Sequence, residues 1–404
     1  MNEKLKNMIL NAKNNVPYYM RSLEGVDVEN IGFEEIPFID KESLRRFEKD
    51  FLSKQFSYSE LIVEFTSGST GRPIKLYKDN TEKVKGGLAL FNNRRKFMSN
   101  VVNAPLLKFH ALNINNNSID YEPIIISSNT LSFSLFDLST EKIIEYWKYI
   151  DRYKEFWMIG VPSAVYKIAR CIDHNPHLKA EKIKFIELTG ELVIPEQKKF
   201  IEKVFNCPVA NFYGSREFWG IAYECKYGKL HVFNDLVYVE VIDNNETVLK
   251  YGEYGEIVIT GLEKYAMPLI RYKQGDRVRL LESRCPCGNH ADILEIEGGR
   301  VTDYIVTEEG TTINPILFYS IITDVNLRFG VFIDQFQVIQ ENLIDFTINL
   351  VVDSKFNRNH IISLFEKTMI DHIHKNVNLN FNFLKEIPQD HISGKFKYFY
   401  SNIK

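Results

Sequence analysis

A polar, flexible loop lies between two predicted strands. It reads Phe65-Thr66-Ser67-Gly68-Ser69-Thr70-Gly71-Arg72-Pro73-Ile74-Lys75, with four hydroxyl side chains and two glycines between Thr66 and Gly71. Glycines let the backbone approach an anion closely, and hydroxyls with free N–H groups can surround phosphate oxygens while Arg72 or Lys75 balances the charge. The same residue types also fill ordinary hairpin turns, and the Gly-Lys-Ser/Thr ending of the common P-loop is missing. The loop is therefore a candidate phosphate site that needs support from the rest of the chain.

Three further polar clusters each follow a predicted strand. The strands are expected at Glu155–Ile159, Ile183–Leu188 and Pro208–Phe212, and helices are expected after Pro162 and Pro195. This spacing predicts a parallel sheet built from right-handed crossovers. Ligands in such sheets bind beyond the carboxyl ends of the strands, so the clusters predict one shared site. They are Gly160-Val161-Pro162-Ser163, Thr189-Gly190-Glu191 and Tyr213-Gly214-Ser215-Arg216-Glu217.

The loop and several later segments resemble, in the same order, the motifs of the acyl-adenylate-forming enzymes. The similarity is to the branch of phenylacetate–CoA ligase and the CapK-like ligases of capsule biosynthesis, and it covers nearly the whole chain. Asn211–Glu217 resembles the family's aromatic-Gly-x-Thr-Glu motif, and Pro268–Asp276 resembles Arg-Tyr-x-x-Gly-Asp. Gly298–Ile305 resembles the Gly-Arg-x-Asp-Asp hinge, and Ser393-Gly394-Lys395 resembles the Ser-Gly-Lys motif near the end of such enzymes.

The resemblance implies a role for each motif. Tyr213 would stack on adenine, Glu217 would help to hold Mg²⁺ at the phosphates, and Asp276 would accept the ribose hydroxyls. Arg300 would reach the nucleotide, and Lys395 would act in adenylation. The implied catalytic residues are Thr66, Glu217 and Lys395. The implied nucleotide-binding residues are Ser67, Gly68, Ser69, Thr70, Gly71, Lys75, Gly190, Glu191, Phe212, Tyr213, Gly214, Ser215, Arg216, Asp276 and Arg300.

Two positions depart from the family's pattern. Arg216 stands where the family has Thr, which puts the neighbouring phosphate or carboxylate contact in question, although an Arg can bind an anion more strongly. Thr302 stands at the hinge pivot in place of the usual acidic residue, with Asp303 beside it. These departures leave open a protein that binds nucleotide without ligase turnover.

Three cysteines and one histidine have the spacing of a possible metal site. Cys225 and His231 lie in one short segment, and Cys285 and Cys287 lie in another. Thiolate and imidazole ligands suit a structural, tetrahedral Zn²⁺, and similar positions occur in the phenylacetate–CoA ligase branch, where some members hold zinc. The alternative is three reduced cysteines and a surface histidine. The other two cysteines, Cys171 and Cys207, are predicted to be core thiols.

The composition argues against several kinds of partner. The 404 residues are 45% hydrophobic and 25% charged, as in ordinary globular proteins, and the net charge of −3 gives no basic field for nucleic acid or an acidic membrane. The chain starts with charged residues and has no long apolar run, so we expect neither a signal peptide nor a transmembrane helix. Five cysteines do not form a disulfide framework. A cytoplasmic protein is expected.

An α/β fold with two domains is expected. Residues 1–301 are predicted to form a large adenylate-forming domain with parallel sheets, flanking helices and a β-rich subdomain from 236 to 280. Residues 302–404 are predicted to form a small, mobile α+β domain that carries Lys395. Helices are predicted over 3–15, after a cap at Asp40, and over 81–97, whose charge run is interpreted as a solvated face. In the small domain, strands are predicted at Gln335–Gln340, Asp345–Val352 and Leu379–Leu384, with a helix at His360–His372.

The predicted activity is AMP-forming activation of a carboxylic acid. ATP, with Mg²⁺, would convert the carboxylate to an acyl-adenylate with release of pyrophosphate, and a thiol, with CoA favoured, would take the acyl group. An amine or a carrier protein is the alternative acceptor. The sequence does not identify the acid. Leu131–Phe136 and Trp157 are predicted to line either an apolar acyl pocket or the core, with the core favoured.

Overall fold

The computed structural model of the chain describes most of its residues in two compact units. The first unit consists of the described residues of 1–66, 74–104 and 184–300, and the second consists of those of 105–183 and 301–404. The structure describes residues 3–403 without 29, 31, 66–73, 111–123, 128, 135–137, 151, 191–192, 194, 297–304, 309–311, 314, 316, 319–320, 323–324, 326–332, 353–357, 374–375, 386 and 388–398. The predicted phosphate loop from Thr66 to Gly71, Glu191, Arg300, Thr302 and Lys395 lie outside the described residues.

The helices begin where the sequence supplies a start signal. Pro17 and Pro162 occupy first-turn positions, where a missing N–H costs nothing. The Asp40 carboxylate accepts from Ser43 N at 2.7 Å, which confirms the predicted cap. No helix among the described residues has the length and apolar character needed to cross a membrane. The helices are α1 Glu3–Asn15, α2 Pro17–Ser22, α3 Lys41–Arg46, α4 Asn80–Arg94, α5 Thr140–Ile150, α6 Pro162–His174, α7 Pro195–Phe205 and α8 Arg358–His372.

The strands follow the predicted alternation with the helices and then the predicted change to a β-rich region. They are β1 Ile62–Phe65, β2 Lys75–Lys78, β3 Leu106–His110, β4 Ile124–Ser127, β5 Thr130–Ser134, β6 Phe156–Gly160, β7 Ile183–Thr189, β8 Val209–Tyr213, β9 Ala222–Glu224, β10 Leu230–Val232, β11 Val237–Ile242, β12 Gly255–Gly261, β13 Tyr272–Leu281, β14 Ile293–Ile296, β15 Ile305–Val306, β16 Thr312–Ile313, β17 Ile333–Gln340, β18 Asp345–Val352, β19 Asn378–Phe383 and β20 Phe399–Ser401. The mixed α/β class predicted from the sequence is confirmed.

In the first unit, eight strands lie in the order β11-β12-β13-β14-β10-β9-β8-β7. Strands β7 and β8 are parallel, whereas every other adjacent pair in this order is antiparallel. Strand β13 begins at Tyr272 and continues through a bulge, so Asp276 lies within a strand. The hairpin β1–β2 forms a separate two-stranded sheet.

In the second unit, one sheet has the order β6-β3-β5-β4, and β3 is parallel to both of its neighbours. Leu131, Phe133 and Trp157 are each at most 3% exposed, so these side chains belong to the core. A second sheet, β19-β18-β17-β20, packs its apolar face with α8 around Phe336, Phe346 and other buried residues. The C-terminal region is the α+β arrangement that the sequence predicts.

Candidate active site

The parallel pair β7–β8 brings two of the predicted clusters to one edge. Thr189 lies opposite Phe212, so Gly190 and Tyr213 emerge from the same end of the pair. Successive side chains of a strand point to opposite faces. Phe212 accordingly packs against Tyr223, with ring centroids 5.9 Å apart, while Tyr213 faces β13. Of the two aromatic residues predicted to bind the nucleotide, Tyr213, the predicted adenine contact, is the one that faces Asp276.

A β-bulge directs Asp276 toward Tyr213. Lys273 pairs with Val258 and Arg277 pairs with Glu256, so residues 274–276 lie opposite a single residue of β12. Gly275 has φ +87°, which favours glycine, and bulges of this kind re-aim side chains next to functional sites. The Tyr213 hydroxyl donates to Asp276 Oδ2 at 2.7 Å. The predicted adenine and ribose contacts therefore lie side by side.

Glu217 is a buried carboxylate close to the same edge. It is 3% exposed, and its Oε1 accepts a hydrogen bond from the Tyr272 hydroxyl at 3.1 Å. Within the part of the chain that the structure describes, Glu217 has no salt-bridge partner. An ionised carboxylate is costly to bury without a counter-charge, and carboxylate oxygen is a ligand that Mg²⁺ accepts. Glu217 therefore fits the predicted role at a metal ion.

The turn after β8 is tightly wound. A Cβ atom at Gly214 would lie 1.9 Å from the carbonyl oxygen of Trp219, so only glycine fits there. Ser215 O accepts from Trp219 N at 2.7 Å, and Ser215 Oγ accepts from Phe218 N at 3.3 Å. The Ser215 hydroxyl thus closes the turn. Arg216 is exposed, and it forms no hydrogen bond or ion pair with another described residue. Its guanidinium is available to an anion.

The hairpin that carries the predicted phosphate loop contacts this turn. Lys78 Nζ of β2 lies 5.4 Å from the centroid of the Trp219 ring and 2.8 Å from Glu64 Oε2 of β1. Lys78 is 1% exposed, and its burial lowers the pKa of its ammonium group to about 8, with help from the charge of Lys264. Lys75 Nζ instead donates to Tyr58 OH at 3.1 Å. Strand β2 is thus anchored to the turn after β8 through Lys78, at the end of the hairpin away from the loop.

The predicted zinc ligands converge. The four ligand atoms lie within 4.8 Å of one another, with Cys225 Sγ 3.6 Å from Cys285 Sγ and Cys287 Sγ 3.3 Å from His231 Nε2. A tetrahedral zinc with Zn–S near 2.3 Å would separate two sulfurs by about 3.8 Å. His231 Nδ1 donates to Ala291 O at 3.0 Å, which points the Nε2 lone pair at the cluster. The donor set and its spacing therefore fit Zn²⁺ with no open position.

Arg94 of α4 is buried, so the prediction of a solvated helix face is wrong at this residue. It belongs to the charge run that was expected on a solvated helix face, but it is only 8% exposed. Arg94 Nε and Nη2 donate to the two carboxylate oxygens of Glu187 at 2.7 and 2.6 Å, and Tyr223 OH donates to Glu187 Oε2 at 2.6 Å. Glu187 lies in β7, 93 residues from Arg94. In the sequence, only the apolar residues on either side of Arg94 could have indicated that Arg94 is buried.

Comparisons with known proteins agree with this architecture. Residues 305–402 match the CapK C-terminal domain family. The chain is 25% identical over 394 residues to protein CapK of Staphylococcus aureus, covering 95% of this chain and 83% of CapK. It is 25% identical over 333 residues to a phenylacetate-coenzyme A ligase of Thermus thermophilus, covering 78% and 72% of the two chains. The structure of 2-hydroxyisobutyryl-CoA ligase in complex with 2-HIB-AMP and CoA is similar, with a TM-score of 0.60, 18% identity and coverage of 99% of this chain and 88% of the ligase, which shows the fold alone.

Proposed function

Since the chain belongs to the adenylate-forming superfamily, on the branch of CapK and the phenylacetate–CoA ligases, we propose that it activates a carboxylic acid with ATP and transfers the acyl group to a thiol, with CoA as the favoured acceptor. The observation that carries this proposal is the pairing of Tyr213 with Asp276 and of Tyr272 with Glu217 between the same two elements, the turn after β8 and strand β13. Lys78 of the hairpin β1–β2 contacts that turn at Trp219. An aromatic ring such as Tyr213 can stack on adenine, a carboxylate such as Asp276 can accept the ribose hydroxyls, and a carboxylate such as Glu217 can hold the metal ion at the triphosphate.

The chemistry requires the site to offset negative charge. A carboxylate resists attack because of its charge. Its oxygen would attack the α-phosphorus of ATP and displace pyrophosphate, which gives a mixed anhydride, and the thiol would then attack the acyl carbon and displace AMP. Asp276 would accept the ribose hydroxyls and Tyr213 would cover the adenine, which fixes the α-phosphate in place. A Mg²⁺ held by Glu217 would supply charge neutralisation. The hydroxyls and N–H groups of Thr66–Gly71, together with Lys395, would complete the set of donors.

The small C-terminal domain is proposed to deliver Lys395. Two observations support residues 302–404 as a separate domain: the CapK C-terminal domain family matches 305–402, and one continuous core runs from Ile305 to Phe399. The hinge at Thr302 would let the domain present Lys395 for adenylation and withdraw it before the thiol enters. Zinc at the Cys/His cluster is proposed as a structural ion that links the two cysteine-containing loops.

Arg216 favours a second candidate. An exposed guanidinium in place of Thr favours a protein that binds an anionic nucleotide tightly without turnover. An amine or a carrier-protein thiol is the alternative acceptor for an active enzyme.

Pyrophosphate exchange tests the proposal across a panel of aromatic, fatty and amino acids. ATP binding with exchange for at least one acid is expected, whereas ATP binding without exchange for any acid would favour the second candidate. Lys395→Ala should lower adenylate formation by orders of magnitude, change ATP affinity little and spare thiol transfer from a pre-made acyl-adenylate. Lys397→Ala is the matched control. Product analysis with CoA, amines and carrier proteins then identifies the acceptor.

A further inference from the structure

Two tyrosine hydroxyls connect the turn after β8 with strand β13 in a reciprocal arrangement. Tyr213, at the end of β8, donates to Asp276 of β13 at 2.7 Å. Tyr272, at the start of β13, donates to Glu217 of the turn at 3.1 Å. Each element thus provides one hydroxyl and one carboxylate, and each hydroxyl binds the carboxylate of the other element. The two bonds lie within the first unit and join residues that are far apart in sequence.

The backbone that carries this arrangement is fixed on the β13 side by Arg271. Arg271 has φ +51°, an unfavourable conformation for a residue with a side chain. Its guanidinium donates to both oxygens of Glu240, at 3.1 and 3.0 Å, and to the carbonyl oxygens of Glu34 and Ile36 at 2.6 and 2.7 Å. These bonds hold the residue that precedes Tyr272. The phenol of Tyr272 is therefore presented to Glu217 by an anchored backbone.

The turn side is fixed equally. Trp219 has φ +59°, and its carbonyl oxygen lies against Gly214, where a Cβ atom would clash. Backbone strain of this kind persists only where the surroundings over-determine it, and it concentrates at functional sites. Both strained residues lie within two positions of a member of the arrangement: Arg271 precedes Tyr272, and Trp219 follows Glu217. The geometry is that of a site organised before its ligand arrives.

We propose that Tyr213 and Tyr272 are positioning residues that form a clasp, in which Tyr213 orients Asp276 for the ribose and Tyr272 orients Glu217 for the metal ion. This proposal rests on the function proposed above. The bond from Tyr213 occupies one of about four acceptor positions of the Asp276 carboxylate. Both tyrosines join the turn after β8 to strand β13, but each orients a carboxylate for a different ligand. Tyr213 acts on the ribose through Asp276, and Tyr272 acts on the metal ion through Glu217.

The test compares Tyr213→Phe with Tyr272→Phe, since each variant removes one oxygen and keeps the ring. The dissociation constant of ATP is measured by calorimetry in EDTA and again with Mg²⁺, and 2′,3′-dideoxy-ATP is measured in parallel. Tyr213→Phe should weaken ATP about ten-fold in both buffers, at the lower end of what loss of an orienting group costs. It should also narrow the preference for ATP over the dideoxy analogue. Tyr272→Phe should leave the EDTA value unchanged and reduce the gain from Mg²⁺ about ten-fold.

Tyr251→Phe is the matched control, because Tyr251 OH donates to Asp292 at 3.1 Å on an exposed part of the same unit. It should change none of these values. Two outcomes would overturn the clasp alone. One is that Tyr272→Phe, like Tyr213→Phe, changes the dissociation constant of ATP equally in EDTA and in Mg²⁺. The other is that Tyr213→Phe leaves the preference for ATP over the dideoxy analogue unchanged. The Tyr213→Phe measurements decide the proposal if Tyr272→Phe does not fold. A wild-type chain that binds no ATP would overturn the proposed function together with the clasp.

Discussion

Replacing Glu187 by Gln should destabilise the first unit far more than the same change in an Arg–Glu pair at the surface. Glu187 is fully buried and receives three hydrogen bonds, two from Arg94 and one from Tyr223. Glu187→Gln keeps the volume but removes the charge that compensates the buried guanidinium. Removing one partner of a buried pair costs about 3–5 kcal/mol, since the other charge stays desolvated.

The surface comparison isolates burial as the cause. Arg279 donates two hydrogen bonds to Glu295, one of them at 2.9 Å, but both side chains are about one-third exposed. Exposed pairs contribute about 0–1 kcal/mol, so Glu295→Gln should have almost no effect. For folded units of 150–250 residues, each kcal/mol lowers the melting temperature by about 2–4 °C. We therefore expect Glu187→Gln to melt about 10 °C lower than the wild type and Glu295→Gln to melt within about 3 °C of it.

Urea denaturation gives the free energy of unfolding, and calorimetry gives the melting temperature. Tyr223→Phe should cost about 1.5–3 kcal/mol, the loss of one hydrogen bond to a charged group. The double variant Arg94→Met with Glu187→Leu should recover much of the stability, because it removes both charges together. If Glu187→Gln and Glu295→Gln are equally stable, or if the double variant is less stable than Glu187→Gln, the ion pair is not what holds α4 on β7.

Three further predictions concern the metal, the nucleotide and pH. Elemental analysis should find no stoichiometric zinc in Cys285→Ser, whereas Cys207→Ser should retain zinc. A wild-type protein without zinc and with five titratable thiols would contradict the proposed zinc site. Asp276→Ala should weaken ATP binding by about 1–3 kcal/mol in calorimetry, and unchanged affinity would remove Asp276 from the ribose site. Between pH 8 and 10.5, the free energy of unfolding of the wild type should rise by about 3 kcal/mol relative to that of Lys78→Met.

The sign of the pH effect follows from the groups that face Lys78. Glu64 and Glu82 favour its charge, but burial and the charge of Lys264 outweigh them and lower its pKa from 10.5 to about 8. Between these values the unfolded chain keeps the proton while the folded chain has released it, so the free energy of unfolding rises with pH. Urea titrations at pH 8 and 10.5 measure this difference. Equal pH slopes for wild type and Lys78→Met would refute the assignment.

The sequence predicted the parts of the candidate site that depend on neighbouring residues in the chain. Glycine at Gly190 and Gly214 and the strands before them mark the carboxyl edge within a few residues, and the structure places both at one edge. The contact of Tyr213 with Asp276 spans 63 residues and that of Tyr272 with Glu217 spans 55. Both contacts are outcomes of sheet order and of the bulge at Gly275, and neither feature leaves a pattern in a single sequence.

Charge and short strands account for the other differences. Arg94 reads as solvent-facing because charged residues are rarely buried, and its partner becomes visible only when α4 lies against β7. The strands β3 and β5 were not predicted, since Leu106–His110 and Thr130–Ser134 are five residues each and interrupt their apolar pattern with polar side chains. Their pairing is parallel and therefore depends on segments that are distant along the chain.

The hairpin β1–β2 shows why polar anchors accompany the proposed phosphate loop. A two-stranded hairpin is marginal alone, and this one is a separate sheet. Leu76 and Tyr77 are buried in the core, and Tyr77 OH donates to Glu48 at 2.7 Å. Lys78 forms an ion pair with Glu64 of β1, and its Nζ lies 5.4 Å from the ring centroid of Trp219 in the turn after β8. Apolar burial and these polar contacts therefore hold the two strands that flank the proposed phosphate loop.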